Sequence, residues 1–154
     1  MTDATASGTP TARSWKETAR TVARAFVTIA MVIVGVMHFK NPEPFTRIVP
    51  QELPEPKLLV YVSGVFEILL GLAIQIPKIR RLAGWGLVAL YVAVFPANIN
   101  MAVRHIELTP GEPIPDWVAW GRLPFQIVFI ALAIWVTGPH FKRGSERRDP
   151  ALEK

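Results

Sequence analysis

Four apolar windows dominate this sequence, at 22–39, 58–76, 82–103 and 118–137. Each is long enough to cross a hydrocarbon layer about 30 Å thick as a helix rising about 1.5 Å per residue. Together they contain three formal charges, Arg24, Glu67 and Arg122. The overall hydrophobic share, 51%, is close to that of a soluble protein, so the segregation decides the class. A chain of 154 residues cannot bury four such windows in one water-soluble core. The pattern predicts an all-α, polytopic integral membrane four-helix bundle. It excludes a soluble single-core domain, a disordered chain and a collagen-like chain.

The charges in the loops and at the window ends, Arg24 included, predict a topology. Twelve of the 17 Lys and Arg residues lie in the N-terminal segment, the second loop (Lys78, Arg80, Arg81) and the C-terminal tail. The first and third loops hold four: Lys40, Arg47, Lys57 and Arg104. This bias predicts both termini in the cytoplasm. The net charge of +5 fits the same loop asymmetry, so no nucleic-acid partner is inferred. Residues 1–14 are small and polar with no apolar period, and predict a disordered tail. Residues 15–141 form the membrane domain, and 142–154 a basic tail. The first span ends in Val36-Met37-His38-Phe39, without a small-x-small cleavage site, and reads as a retained helix.

The loops are unequal. Residues 40–57 hold Pro42, Pro44, Pro50, Pro54 and Pro56, and residues 104–117 hold Pro110, Pro113 and Pro115. Between the prolines, Phe45, Ile48 and Val49 fit one face of a short helix. This predicts an apolar flap over the outer end of the bundle. The short Pro77–Arg81 connection predicts antiparallel second and third spans.

Polar groups at bilayer depth are costly and usually face protein or water. Glu67 is expected roughly 14 Å down its helix, near the midplane. Ser63, Gly64 and Gly71 share its face, so another helix or a ligand can approach closely. A lone carboxylate there would be either paired or protonated. Arg122 is the candidate partner, with snorkelling to headgroups as its other reading. Gln126 follows one turn deeper. Asn98 lies on the face of Tyr91, after Pro96, which frees a backbone carbonyl. His38 ends the first span. These six residues, His38, Glu67, Tyr91, Asn98, Arg122 and Gln126, fall between midplane and outer surface. They predict a pocket opening outward, with Glu67 handling a proton and the other five binding ligand.

Other chemistry has little support. The chain has no cysteine, which removes disulfides, thiolate metal sites and dithiol chemistry. His38, His105 and His140 are too scattered for a metal site, and only His38 is inside a span, too few for bis-histidine haem. No phosphate-binding loop, serine-hydrolase elbow or zinc-protease motif occurs.

Gly35-Val-Met-His-Phe39, Ile48-Val-Pro50, Tyr61-Val-Ser-Gly-Val-Phe-Glu-Ile-Leu-Leu-Gly71 and Phe95-Pro-Ala-Asn-Ile-Asn-Met101 together resemble the DoxX-like membrane proteins. The resemblance spans roughly residues 22–137. It implies a four-helix bacterial membrane protein associated with quinone-linked redox systems, with the family's second-helix acid at Glu67.

The expected function is binding of a small amphipathic ligand such as a quinone within a membrane redox system. No cofactor resides in the chain itself, so electrons would require a partner subunit. A non-catalytic assembly or anchoring subunit is one alternative. A proton-coupled transporter is another, and four spans would then need a homo-oligomer to alternate access.

Overall fold

The computed structural model describes residues 12–138. Its elements are α1 (Ala12–Lys40), α2 (Glu43–Ile48), α3 (Pro56–Ala73), α4 (Arg80–Val103) and α5 (Asp116–Thr137). The four long helices are all apolar and long enough to span a membrane. The C-terminal tail, His140 and residues 1–11 lie outside the described residues. Residues 12–14, expected without structure, are already helical.

Proline sets several boundaries. Pro42 precedes α2, Pro56 begins α3 and Pro115 precedes α5. At a first turn its missing N–H costs no helical bond, and its fixed φ suits the helix. The second span was expected to run to residue 76, but α3 stops at Ala73. Arg80, the first residue of α4, explains the early stop. Its Nε donates to Ile74 O at 2.8 Å and its Nη2 to Gln75 O at 3.1 Å. Carbonyls just past the helix end are thereby satisfied by a side chain across the turn.

The closest helix pairs are α1 with α3 and α4 with α5; α3 meets α4, and α1 meets α5 to close the ring. The packing is read directly from burial. On α1 the buried positions are 24, 27, 31, 35 and 38, and on α3 they are 60, 64, 67 and 71, followed by Ile74 just past its end. Both are built from steps of three and four, the spacing of a seam between closely packed helices. On α5, Ala119, Gln126 and Ala133 repeat every seven residues.

Glycines let α1 and α3 approach closely. A Cβ on Gly64 would sit 2.8 Å from His38 Cβ and 3.0 Å from Gly35 O, and one on Gly35 would sit 2.8 Å from Gly64 O. Neither backbone oxygen can yield, so these positions hold the two helices in contact. Thr28 Oγ1 donates to Gly71 O at 2.7 Å and accepts from Gln75 Nε2 at 2.7 Å, fastening the same pair further along.

The outward faces are apolar. Phe125 is 65% exposed, Ile127 63% and Leu82 75%. Such a surface requires lipid around it, since soluble monomers rarely expose contiguous apolar area on this scale. The tryptophans mark two levels. Trp15, Trp85 and Trp135 lie near the end where α1 and α4 begin, and Trp117 and Trp120 lie near the other. Aromatic belts of this kind sit at membrane–water interfaces. The first is called here the tail end, and the second the cap end.

The cap is α2. Ile48 is buried with Met101 and Ala102 of α4 and Ala119 of α5. Asn100 Nδ2 donates to Ile48 O at 3.0 Å, which fixes the flap to α4. The short helix predicted between the prolines therefore closes one end of the bundle.

Candidate functional site

Glu67 lies on the α1–α3 seam, 8% exposed, and its neighbour is His38. Helical side chains tilt toward the N-terminus of their own helix. In antiparallel α1 and α3, His38 therefore leans away from the cap and Glu67 toward it, so the two converge. Gly64 and Gly35 between them make room.

The contact is close without being a hydrogen bond. His38 Nδ1 lies 3.3 Å from Glu67 Oε2 but 2.8 Å from Val34 O. A neutral ring has one hydrogen to give from Nδ1, and the shorter contact to the backbone carbonyl takes it. Nε2 is then an acceptor. Glu67 Oε2 is left buried with no hydrogen-bond partner. A buried carboxyl oxygen in that condition is costly and points to a role other than packing.

Phe45 of α2 covers this pair. Its ring stacks on His38 with centroids 3.9 Å apart and planes inclined by 24°. Phe39 and Tyr61 stack beside them at 5.5 Å. On the far side is Tyr91 of α4, within electrostatic range of Glu67, its hydroxyl 3.3 Å from Met31 Sδ. An acid, an imidazole and a phenol are thus contributed by three helices, under an aromatic lid.

A second polar group joins α4 to α5. Asn98 Nδ2 donates to Gln126 Oε1 at 2.6 Å, and Gln126 Nε2 donates to Tyr91 O. Pro96 interrupts the α4 ladder here and Pro124 the α5 ladder. Internal prolines in a membrane helix are tolerated where side chains supply replacement partners, and Gln126 and Asn98 lie at that level. The expectation that Tyr91 and Asn98 share a face holds, with Gln126 bridging them.

Arg122 is not the partner of Glu67. It is exposed on α5, its Nη1 lies 3.7 Å from Met101 Sδ, and among the described residues it makes no ion pair. Although Gln126 follows one turn later, Gln126 is buried and Arg122 is not. The long side chain lies toward the surface of the bundle near the cap. The six predicted residues therefore form two groups and an outlier: His38 with Glu67 and Tyr91, Asn98 with Gln126 and the Tyr91 backbone, and Arg122 apart.

Sequence reasoning placed Phe45 in the flap but not over His38. No pattern announces that contact, because it depends on the turn at Asn41-Pro42. Met31, which meets the Tyr91 hydroxyl, was equally silent as an ordinary apolar seam residue.

Fold and site together define a multi-pass integral membrane protein, a four-helix bundle with a buried acid–imidazole pair under a capping helix. The chain belongs to the family described as Domain of unknown function (DUF8561), which matches residues 27–137. That region begins on the α1 seam and ends with α5, so it takes in His38, Glu67 and the cap. No curated protein and no solved structure matches the chain.

Proposed function

We propose that this protein binds a small amphipathic molecule of the quinone class at the His38–Glu67 pair, as the membrane-embedded part of a redox system. The observation that carries the reading is Glu67 Oε2, buried and unpartnered beside His38. A quinol hydroxyl donates a hydrogen bond, and Oε2 and His38 Nε2 are acceptors. A quinone carbonyl accepts one, and a protonated Glu67 can donate it. Reduction of a quinone takes up two protons with two electrons, and a carboxyl with an imidazole can supply them at a site reached from lipid. Phe45 and Tyr91 would border the ring of the ligand.

The electrons come from a partner subunit, because the sequence carries no thiol and no flavin motif. The resemblance to the DoxX-like proteins, with their quinone-linked systems, supports the same reading. So does the charge asymmetry of the loops, which favours a bacterial cytoplasmic membrane with both termini inside and α2 toward the outer leaflet.

The test is purification of the full chain in mild detergent, with mass spectrometry of what accompanies it. A short-chain quinone is then titrated into the protein and followed by tryptophan fluorescence. Wild type should retain or bind quinone near one per chain, and Glu67→Gln should bind at least tenfold more weakly. Wild type that binds no quinone, or a variant that binds equally well, overturns the reading.

A further inference from the structure

The tail end has an electrostatic problem that the cap end lacks. Among the described residues three contacts bring an acid beside a base: His38–Glu67, Arg104–Glu52 and His105–Asp116. All lie in the half nearer the cap. At the tail end, Lys16, Arg20, Arg24, Lys78, Arg80 and Arg81 face a single described acid, Glu17, which pairs with none of them.

Three of these cations are drawn together. Arg24 is on the buried seam of α1, 8% exposed, with Arg20 and Arg80 both within Coulombic range. Its Nη2 donates to Thr21 Oγ1 at 2.8 Å. Its Nε and Nη1 are buried and have no acceptor. Arg80 is held by the Ile74 and Gln75 carbonyls, and Arg20 lies 5.7 Å over the Trp135 ring. The neighbouring guanidinium groups are thus fixed in place by their own contacts, and among the described residues no carboxylate relieves the mutual repulsion. Burying an unpaired guanidinium is expensive, and an anion is what this arrangement lacks.

The geometry points to a phosphate-binding site formed by Arg24, Arg20 and Arg80, which takes the headgroup phosphate of an anionic lipid. Guanidinium N–H pairs match phosphate oxygens in a bidentate fashion. Trp15, Trp85 and Trp135 place the cluster near headgroup level, and basic pockets between membrane helices on the cytoplasmic side are suited to such headgroups. The flexible Arg24 side chain can turn its unpartnered edge to the anion without backbone movement. Along α1 the site is fourteen residues from His38, about 21 Å, so it is independent of the ligand proposed there.

Native mass spectrometry of the detergent-purified chain tests this, with phosphatidylglycerol, phosphatidylcholine and inorganic phosphate as separate probes. Wild type should retain one phosphatidylglycerol in preference to phosphatidylcholine. Each arginine near a membrane surface contributes roughly a fivefold preference, so Arg24→Gln and Arg20→Gln should each weaken retention about that much. Arg24→Lys should keep part of it, and Arg81→Gln should leave it unchanged. Arg20→Gln removes only a surface cation–π contact, so it answers the question even where Arg24→Gln fails to fold. Equal retention of the two lipids by wild type, or unaltered retention in Arg20→Gln and Arg24→Gln, overturns the proposal. Binding of inorganic phosphate with no lipid retained overturns the lipid assignment.

Discussion

At the scale of single residues, Glu67 and Arg122 have opposite fates, although both are charges placed in apolar windows. Glu67 comes eleven residues after the start of α3 and cannot reach an interface, so it must turn to the seam. Arg122 comes six residues after the start of α5 and has a side chain long enough to reach one. Double-mutant cycles on thermal stability in detergent should reflect this. Glu67 and His38 should couple by about 0.5–3 kcal/mol, as neighbours in one network do, and Glu67 and Arg122 by less than about 0.5 kcal/mol. Coupling of Glu67 to Arg122 as large as to His38 would reverse the assignment. Glu67→Gln alone should change stability by less than about 1 kcal/mol, because Oε2 has no bond to lose. The sequence made Glu67 legible as a buried group from its charge and its small neighbours on one face. Its partner was not legible, since helix spacing specifies which face a residue occupies but not which helix packs there. His38 had the same visibility as Arg122 and a shorter side chain, and only the α1–α3 pairing separates them.

At the scale of elements, the windows located all four long helices, because hydrophobic segregation in a membrane protein reflects the solvent the whole helix meets. The ends were less legible. The window at 58–76 overran α3 by three residues, since Ile74 and Ile76 are apolar but belong to a turn held by Arg80. The three-and-four spacing of the seam on α1 and α3 supplies a sharper prediction. Gly64→Leu places a side chain against Gly35 O and His38, and Gly35→Leu places one against Gly64 O. Each should cost about 1–3 kcal/mol in unfolding measured in mixed micelles, as overpacking does. Gly121→Ala, with nothing within 4 Å of the new Cβ, should be neutral or stabilising by up to about 1 kcal/mol. Equal gains at all three positions would mean that helix propensity and not close approach governs them. The α4–α5 pair adds an amide bridge to its apolar packing. Gln126→Leu removes the donor to Tyr91 O and the acceptor for Asn98 Nδ2 together, and should cost about 1–2 kcal/mol by the same measurement. A Gln126→Leu protein as stable as wild type would show that the amide bridge contributes nothing.

At the scale of the whole molecule, the two ends of the bundle differ in charge, closure and polarity, and one orientation in the membrane accounts for all three. Among the described residues the tail end gathers six cations against one acid, Glu17, which suits the leaflet rich in anionic lipid. The cap end carries α2, the ion pairs of Glu52 and Asp116 and the route to His38 and Glu67. If the tail end is cytoplasmic, the positive-inside bias, the phosphate site and the outward-facing cap are satisfied together. The reverse orientation would set the Arg20–Arg24–Arg80 cluster against the outer surface, where the loop charges disfavour it. Because the chain contains no cysteine, single cysteines are clean reporters. In intact bacterial cells, Thr109→Cys in the α4–α5 loop should react with a membrane-impermeant maleimide, and Lys78→Cys in the α3–α4 loop should react only after permeabilisation. Neither residue belongs to the His38–Glu67 pair or to the arginine cluster, so labelling should report orientation without altering either proposed site. Labelling of Lys78→Cys in intact cells with protection of Thr109→Cys would invert the molecule. It would then place the acid–imidazole pair nearer the cytoplasm, so that any protons exchanged at Glu67 would be drawn from the cell interior and not from outside.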